Sequence, residues 1–178
     1  MFAQTFTIDD LTYTVLSADD KTVSVSNGKN ATGDVTVPET VTYNDGEYNV
    51  TTIADYAFYG NTNITSVDMP SVTTIASCAF EDCSVLASVS LPAATSIGSY
   101  AFEDCSALAS VSLPVATTIG NYAFSRCSSL DSVSLPAATT IGNDAFWECS
   151  SLTSVSLPVA TTIGNDAFYK LSVFTRHE

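Results

Sequence analysis

The sequence is short of positive charge, of histidine and of long apolar runs, and each shortage removes a class of function. Five Lys and Arg face 19 Asp and Glu over 178 residues, for a formal net charge of −14. A nucleic-acid binder needs a basic face to neutralise phosphates, and five scattered cations cannot make one. The only histidine is His177, the penultimate residue, so proton-transfer and nucleophilic chemistry lack their commonest base. No run of 18 apolar residues occurs, and nothing reads as a membrane-spanning helix. Met1-Phe2-Ala3-Gln4 has no basic n-region and no apolar h-region, so it is not an intact signal peptide; the remnant of a removed one stays open. Charged residues make up 13% of the chain, about half of the usual ~25%. Ser and Thr fill that deficit beside 46% hydrophobic residues, a mixture that folds rather than one that stays disordered.

The cysteines are Cys78, Cys83, Cys105, Cys127 and Cys149. An odd number argues against a fully paired disulfide framework. The last four stand 22 residues apart, which suits no zinc layout and points instead to a repeat. Proline recurs with the same step at Pro70, Pro92, Pro114, Pro136 and Pro158. Isoleucine recurs from Ile53 to Ile163 and phenylalanine from Phe58 to Phe168, again by 22. The best-preserved copies read LASVSLPVATTIGNYAFSRCSS and LDSVSLPAATTIGNDAFWECSS. A period of 20–29 residues is that of leucine-rich repeats, in which every coil of a solenoid carries one strand.

Each position in the unit has a physical role. Val111 and Leu113 alternate with Ser110 and Ser112, as in a half-buried strand. Pro114 ends the strand because it has no N–H to offer a neighbour. Thr117-Thr118-Ile119 forms a second short extended segment with Ala116 and Ile119 inward. The next variable position is Asp55, Ser77, Ser99, Asn121, Asn143 or Asn165, all N-cap types. These predict one short helical turn per coil, at Tyr122-Ala123-Phe124 and its equivalents, with Phe as the core anchor. Gly120, aligned with Ala54 and Ala76, marks a site that needs a small residue. Asn61 shares the slot of Cys83, Cys105, Cys127 and Cys149, a bend where Asn donates to backbone carbonyls and Cys packs as a small hydrophobe. Cys78 falls instead in the slot of Tyr56, Tyr100, Tyr122, Asp144 and Asp166. A slot that accepts Asp reads as exposed, which makes Cys78 the one candidate reactive thiol, against a neutral substitution.

Residues 1–34 alternate differently. Phe6 and Ile8, then Leu11, Tyr13 and Val15, then Val23 and Val25, predict antiparallel strands forming an N-terminal β-hairpin cap. Residues 35–178 form the solenoid. Its first repeat carries a hairpin insertion at about 41–50, around Asn44-Asp45-Gly46. Its last repeat is incomplete: Leu171 and Phe174 keep the pattern, and His177 stands where Val is expected. Either a charged terminal strand or a fragmentary last repeat accounts for Arg176, His177 and Glu178.

The unit LxxVxLPxxxTxIGxxAFxxCxx resembles the BspA-like leucine-rich repeats of bacterial secreted and surface proteins. The likeness covers about residues 35–174, and Gly33 to Val41 looks like the family's entry into its repeats. The unit is one residue shorter than the family's common one between Pro and Ile, which implies a tighter bend. The resemblance implies a leucine-rich-repeat solenoid, mainly β, and adhesion or recognition of other proteins at a cell surface, secreted or displayed. It carries no catalytic residues, and none are predicted.

The resulting expectation is a non-enzymatic recognition or adhesion module with no cofactor and no metal. Its partner is probed first as another protein, a host or cell-surface component. The alternative is a structural spacer or stalk segment, which near-identical copies favour. The strand serines Ser88, Ser110, Ser132 and Ser154 give a candidate binding surface, small, hydroxyl-rich and without aromatic anchors. Trp147, on the turn side with Tyr100, Tyr122 and Tyr169, is the anchor candidate, unless it merely covers its neighbouring coil. Glu81/Glu103 and Asp82/Asp104 stack where a divalent cation could sit, although solvated acid explains them equally. Asn30-Ala31-Thr32, Asn49-Val50-Thr51 and Asn63-Ile64-Thr65 match glycosylation acceptors, which mean nothing in a bacterial protein.

Overall fold

Sixteen short strands and the turns between them carry the described part of the chain, residues 4–170 of a computed structural model. The expectations placed on Leu171, Phe174, Arg176, His177 and Glu178 lie outside these residues. The cap begins with β1 (Thr5–Ile8), β2 (Leu11–Ser17) and β3 (Thr22–Asn27), antiparallel neighbours whose alternation buries Leu11, Tyr13, Val23 and Val25. β4 (Gly33–Thr36) leaves that sheet. β5 (Thr40–Tyr43) and β6 (Gly46–Ile53) form an antiparallel hairpin. Asn44 and Asp45 turn it with φ of +47° and +59°, the left-handed pair that a two-residue hairpin loop requires.

From β6 onward each coil contributes one strand to either side. One side holds β7 (Ile64–Asp68), β9 (Ser88–Ser90), β11 (Ser110–Ser112), β13 (Ser132–Ser134) and β15 (Ser154–Ser156). The other holds β8 (Thr74–Ile75), β10 (Ser96–Ile97), β12 (Thr118–Ile119), β14 (Thr140–Ile141) and β16 (Thr162–Ile163). Pairing is parallel and in register with the repeat, Ile97 beside Ile75 and Ile119. β3 joins β6 in parallel and β4 joins β7, so the cap's strands continue both sides of the stack. One side is unbroken from β6 to β16. The other is interrupted once, because β11 and β13 exchange no ladder bonds although β12 and β14 do.

The core is a set of columns. Phe58, Phe80, Phe102, Phe124 and Phe146 are fully buried, and with Phe168 they stack at centroid distances of 4.7–5.3 Å, nearly parallel. Each full burial of such a side chain is worth roughly 1.5–3 kcal/mol. Gly120 explains its column: a Cβ there would lie 2.6 Å from the backbone of Gly98 and Ser99 in the preceding coil. The strand after Pro and the small residue therefore bring successive backbones into close contact.

The expected helical turn is not there. No helix occurs among the described residues, and Tyr122 has φ +57°, which a right-handed helix excludes. Its N–H donates to Asn143 O of the next coil, as Phe124 N–H does to Ala145 O and Arg126 N–H to Trp147 O. The segment is a tight turn laid parallel on its copies. The residues read as N-caps serve that stacking: Asn121 Oδ1 accepts the N–H of Asn143 at 2.8 Å, and Asn143 Oδ1 that of Asn165. Asp55 does the same for Ser77.

Candidate functional site

Two left-handed residues per coil build the corner of the solenoid. The first column is Tyr56, Cys78, Tyr100, Tyr122, Asp144 and Asp166, with φ of +51° to +60°. The second is Asp82, Asp104, Arg126, Glu148 and Lys170, at +55° to +61°, with Gly60 in the first coil. Such φ costs roughly 1–2 kcal/mol for most residues and less for Asp or Asn. Asp is therefore common here for its backbone, so it does not report exposure. The corner is a ridge whose conformation repeats while its side chains change.

The first half of the ridge is aromatic and acidic. Tyr56 is 61% exposed and meets Tyr59 edge-on, while Tyr100 and Tyr122 stack at 4.9 Å with rings 3° from parallel. Glu81, Asp82 and Glu103 lie among them, and residues 51–125 contain six acids and no Lys, Arg or His. The crowding shows in the titrating groups. Burial, then Asp104 and Glu81, holds the Glu103 carboxyl above its ordinary range, and Asp82 with Glu81 pushes the Tyr59 phenol up.

The second half satisfies itself. Arg126 Nη1 donates to Asp104 Oδ2 at 3.2 Å, its Nε lies 3.8 Å from Glu148 Oε2, and Lys170 Nζ reaches Glu148 Oε1 at 2.8 Å. Trp147 is half-buried, with Arg126 5.0 Å and Lys170 5.8 Å from its ring centroid. A groove of about 440 Å³ follows this chain of charges beside Ser106, Ser128 and Ser150. Sequence reasoning picked Trp147 but missed the column Asp104, Arg126, Glu148 and Lys170, although a 22-residue step through the four residues was there to find it.

The strand serines lie on another stretch of the coil. Ser88 pairs with Ser66 and Ser110, and Ser132 with Ser154; between β11 and β13 the ladder bonds lapse, although the two strands stay neighbours in the stack. A hollow of about 390 Å³ lies over Ser66, Ser88 and Ser110 on the near side of that break. The candidates Ser88, Ser110, Ser132 and Ser154 thus follow one another on neighbouring coils, whereas Trp147 lies apart from them at the corner.

All five thiols are free. Cys83, Cys105, Cys127 and Cys149 are fully buried, and each Sγ donates to a Phe carbonyl one coil back, Cys105 to Phe80 O at 3.1 Å. Asn61 fills that corner with more bonds: its Nδ2 donates to Gly28 O and Ala31 O, and its Oδ1 accepts from Asn63 and Ile64 N–H. Cys78 is buried too, at 8% exposure, contrary to the exposed slot expected for it. Burial, then Glu81, pushes its thiol up to about 11, so it is not an activated nucleophile. Among the described residues no group of three or more His, Cys, Asp and Glu could hold a metal, and Asp104 is engaged by Arg126. The described residues contain no helix long and apolar enough to cross a membrane.

Residues 51–175 match the BspA type leucine rich repeat region in six copies. The chain belongs to that family, whose repeats are generally non-enzymatic. A leucine rich cell surface protein of Faecalibacterium prausnitzii A2-165 is similar at 29% identity and a TM-score of 0.82, covering 97% of this chain and 54% of its own. The Treponema pallidum (T. pallidum) leucine rich repeat protein is similar at 26% identity and a TM-score of 0.74, covering 91% and 88%. A leucine-rich repeat protein from Eubacterium ventriosum is 25% identical at a TM-score of 0.63, covering 83% and 38%. The chain thus spans about half the length of the first of these. No curated protein matches it significantly in sequence.

Proposed function

We propose that the chain is a non-enzymatic recognition module, secreted or displayed at a cell surface, that binds a protein partner through the aromatic, acidic half of its ridge. The observation that carries this reading is the set Tyr56, Tyr59, Tyr100 and Tyr122 beside Glu81, Asp82 and Glu103, where Arg126 offsets only Glu103. Tyr56, Tyr59 and Tyr100 are exposed and Tyr122 is half-buried; such tyrosines give contact area at low entropic cost, and carboxylates in excess over cations favour a partner with basic segments. The cell-surface description of the F. prausnitzii relative supports an extracellular place. The serine face Ser88, Ser110, Ser132 and Ser154 supports a second reading, a spacer, because it repeats one side chain where a recognition surface would vary.

The test is equilibrium binding of the intact chain to a panel of purified extracellular-matrix proteins, cell-surface proteins and glycans. The expected result is saturable, salt-sensitive binding that Tyr100→Ser with Tyr122→Ser weakens about tenfold or more. Loss on Trp147→Ala alone would move the site to the compensated half. Absence of binding across the panel would favour the spacer.

A further inference from the structure

The cap holds a cleft that the ridge does not use. It opens beside the β1–β2 turn and β4 and encloses about 210 Å³. Ile8, Leu11, Val35 and Pro38 supply its apolar wall. Tyr13 enters from β2, its ring stacked on Phe6, which stacks in turn on Tyr43 at 4.3 Å. Its side chain is only 1% exposed.

The Tyr13 hydroxyl receives no hydrogen bond and makes none among the described residues, yet no fully buried polar side-chain atom there lacks a partner. Its oxygen therefore keeps a small exposure, and Tyr13 is among the residues that line the cleft. Burial, then the nearby Asp9 carboxylate, raises the phenol above its ordinary value, so the hydroxyl stays neutral. A neutral phenol in a sheltered place wants a polar partner, because leaving it bare when the cleft is filled by an apolar group costs roughly 1–3 kcal/mol.

The remaining polar groups fix the sign of that partner. Asp9, Asp10 and Asp34 line the cleft, and none of them takes part in an ion pair among the described residues. Asp9 is held in the turn at φ +50°. Asp34 Oδ1 accepts from Thr65 Oγ1 at 2.9 Å and Ser66 Oγ at 2.6 Å, which leaves Oδ2 without a partner. An anion is repelled, and an apolar group strands the hydroxyl. A guanidinium presents a rigid planar fork suited to one carboxylate face rather than to a hydroxyl and a carboxylate on different residues. A primary ammonium is compact and directs three donors to separate acceptors.

We propose that this cleft receives a lysine side chain of a partner protein, its stem against Ile8, Leu11, Val35 and Pro38 and its ammonium donating to the Tyr13 hydroxyl and the Asp9 carboxylate. The site stands apart from the ridge and does not depend on the reading given to it. Its test is an NMR titration of the isotope-labelled intact chain with N-acetyl-lysine methylamide, and with the norleucine and arginine counterparts. The lysine probe is expected to saturate and to shift amide signals of residues 8–13 and 32–38, with both counterparts at least about fivefold weaker. Tyr13→Phe keeps the stacked ring, and Asp9→Asn keeps the turn residue's size. Each is expected to weaken the lysine probe about three- to tenfold while the rest of the spectrum stays in place. Equal binding of norleucine, equal or tighter binding of arginine, an unchanged affinity in Tyr13→Phe, or no saturable shift up to roughly 100 mM would each overturn the assignment.

Discussion

Residues 51–125 place six acids and no cation on the solenoid, whereas residues 126–170 place four acids and two cations on coils of the same backbone. In the earlier coils the ridge ends in exposed tyrosines with crowded carboxylates. In the later coils Arg126, Glu148 and Lys170 close a chain of ion pairs beside Trp147, which reaches back to Asp104 in the coil before them. The difference teaches that a repeat separates its two tasks. The left-handed corner, the Phe stack and the inter-coil hydrogen bonds are held constant, and the side chains leaving that corner are free to satisfy one another or to be left open.

Both halves rest on one core, and removing a piece of it is the largest blow to either. Phe102 stacks between Phe80 and Phe124 under the tyrosine half. Phe102→Ala is expected to cost about 3–5 kcal/mol in urea unfolding. Because coils are coupled to their neighbours, signals from Trp147 should shift with the same midpoint; a Trp147 transition left in place would show that the halves unfold separately.

The buried thiols give a smaller effect that sharpens the comparison by pH. Cys78, in the tyrosine half, is pushed up to about 11 by burial and then by Glu81, and Cys149, under the ion-paired half, to about 12 by burial. A thiol released by unfolding titrates near its ordinary value of 9.0. The native state thus holds protons that the unfolded chain has lost, and stability falls as pH rises above about 9. Their contribution is fully present below pH 9 and disappears progressively through about 11 and then 12. Thermal melts from pH 7.5 to 11 should show a flat region followed by decline, and Cys149→Ala should flatten the part between 9 and 11. A wild-type decline that Cys149→Ala leaves unchanged would mean that this thiol is not what the alkaline loss reports.

The smallest effect lies in the ion-paired half. Arg126 is about half exposed, and such pairs contribute roughly 0.2–1 kcal/mol. Arg126→Gln is expected to lower the melting temperature by a few degrees at most in dilute buffer, with the difference fading near 0.5 M salt, where charges are screened within about 4–5 Å. A larger, salt-independent loss would assign Arg126 a packing role on Trp147 rather than a charge role.

Much of the fold was legible because repetition leaves a mark in every column. The 22-residue step, the strand with its closing proline, the small residue at Gly120 and the Cys/Asn corner all follow from residue types at fixed spacing. The corner itself was misread for a physical reason. Asp, Ser and Asn cap helices, but they also accept a neighbouring coil's N–H, and the two uses look alike in one sequence. Positive φ was equally hidden, since Tyr56, Cys78 and Tyr100 are unlikely hosts for it. With positive φ hidden, Asp144 and Asp166 read in the sequence as a sign of exposure for a slot in which Cys78 is buried. The split of the ridge was half visible: the charges of Asp104, Arg126, Glu148 and Lys170 stand in the sequence, while their pairing needs the left-handed backbone that lines them up. The Tyr13 cleft left no periodic trace, because it forms where the cap meets the first coils only once.

The claim that recognition belongs to the open half of the ridge is tested most directly by equilibrium binding of paired variants to one partner found by the panel. Tyr56→Ser with Tyr100→Ser and Tyr122→Ser should weaken binding at least about tenfold, while Ser88→Thr with Ser110→Thr and Ser132→Thr, on the strand face, should leave it within about twofold. The reverse pattern, with binding lost on the strand face and kept on the ridge, would contradict it.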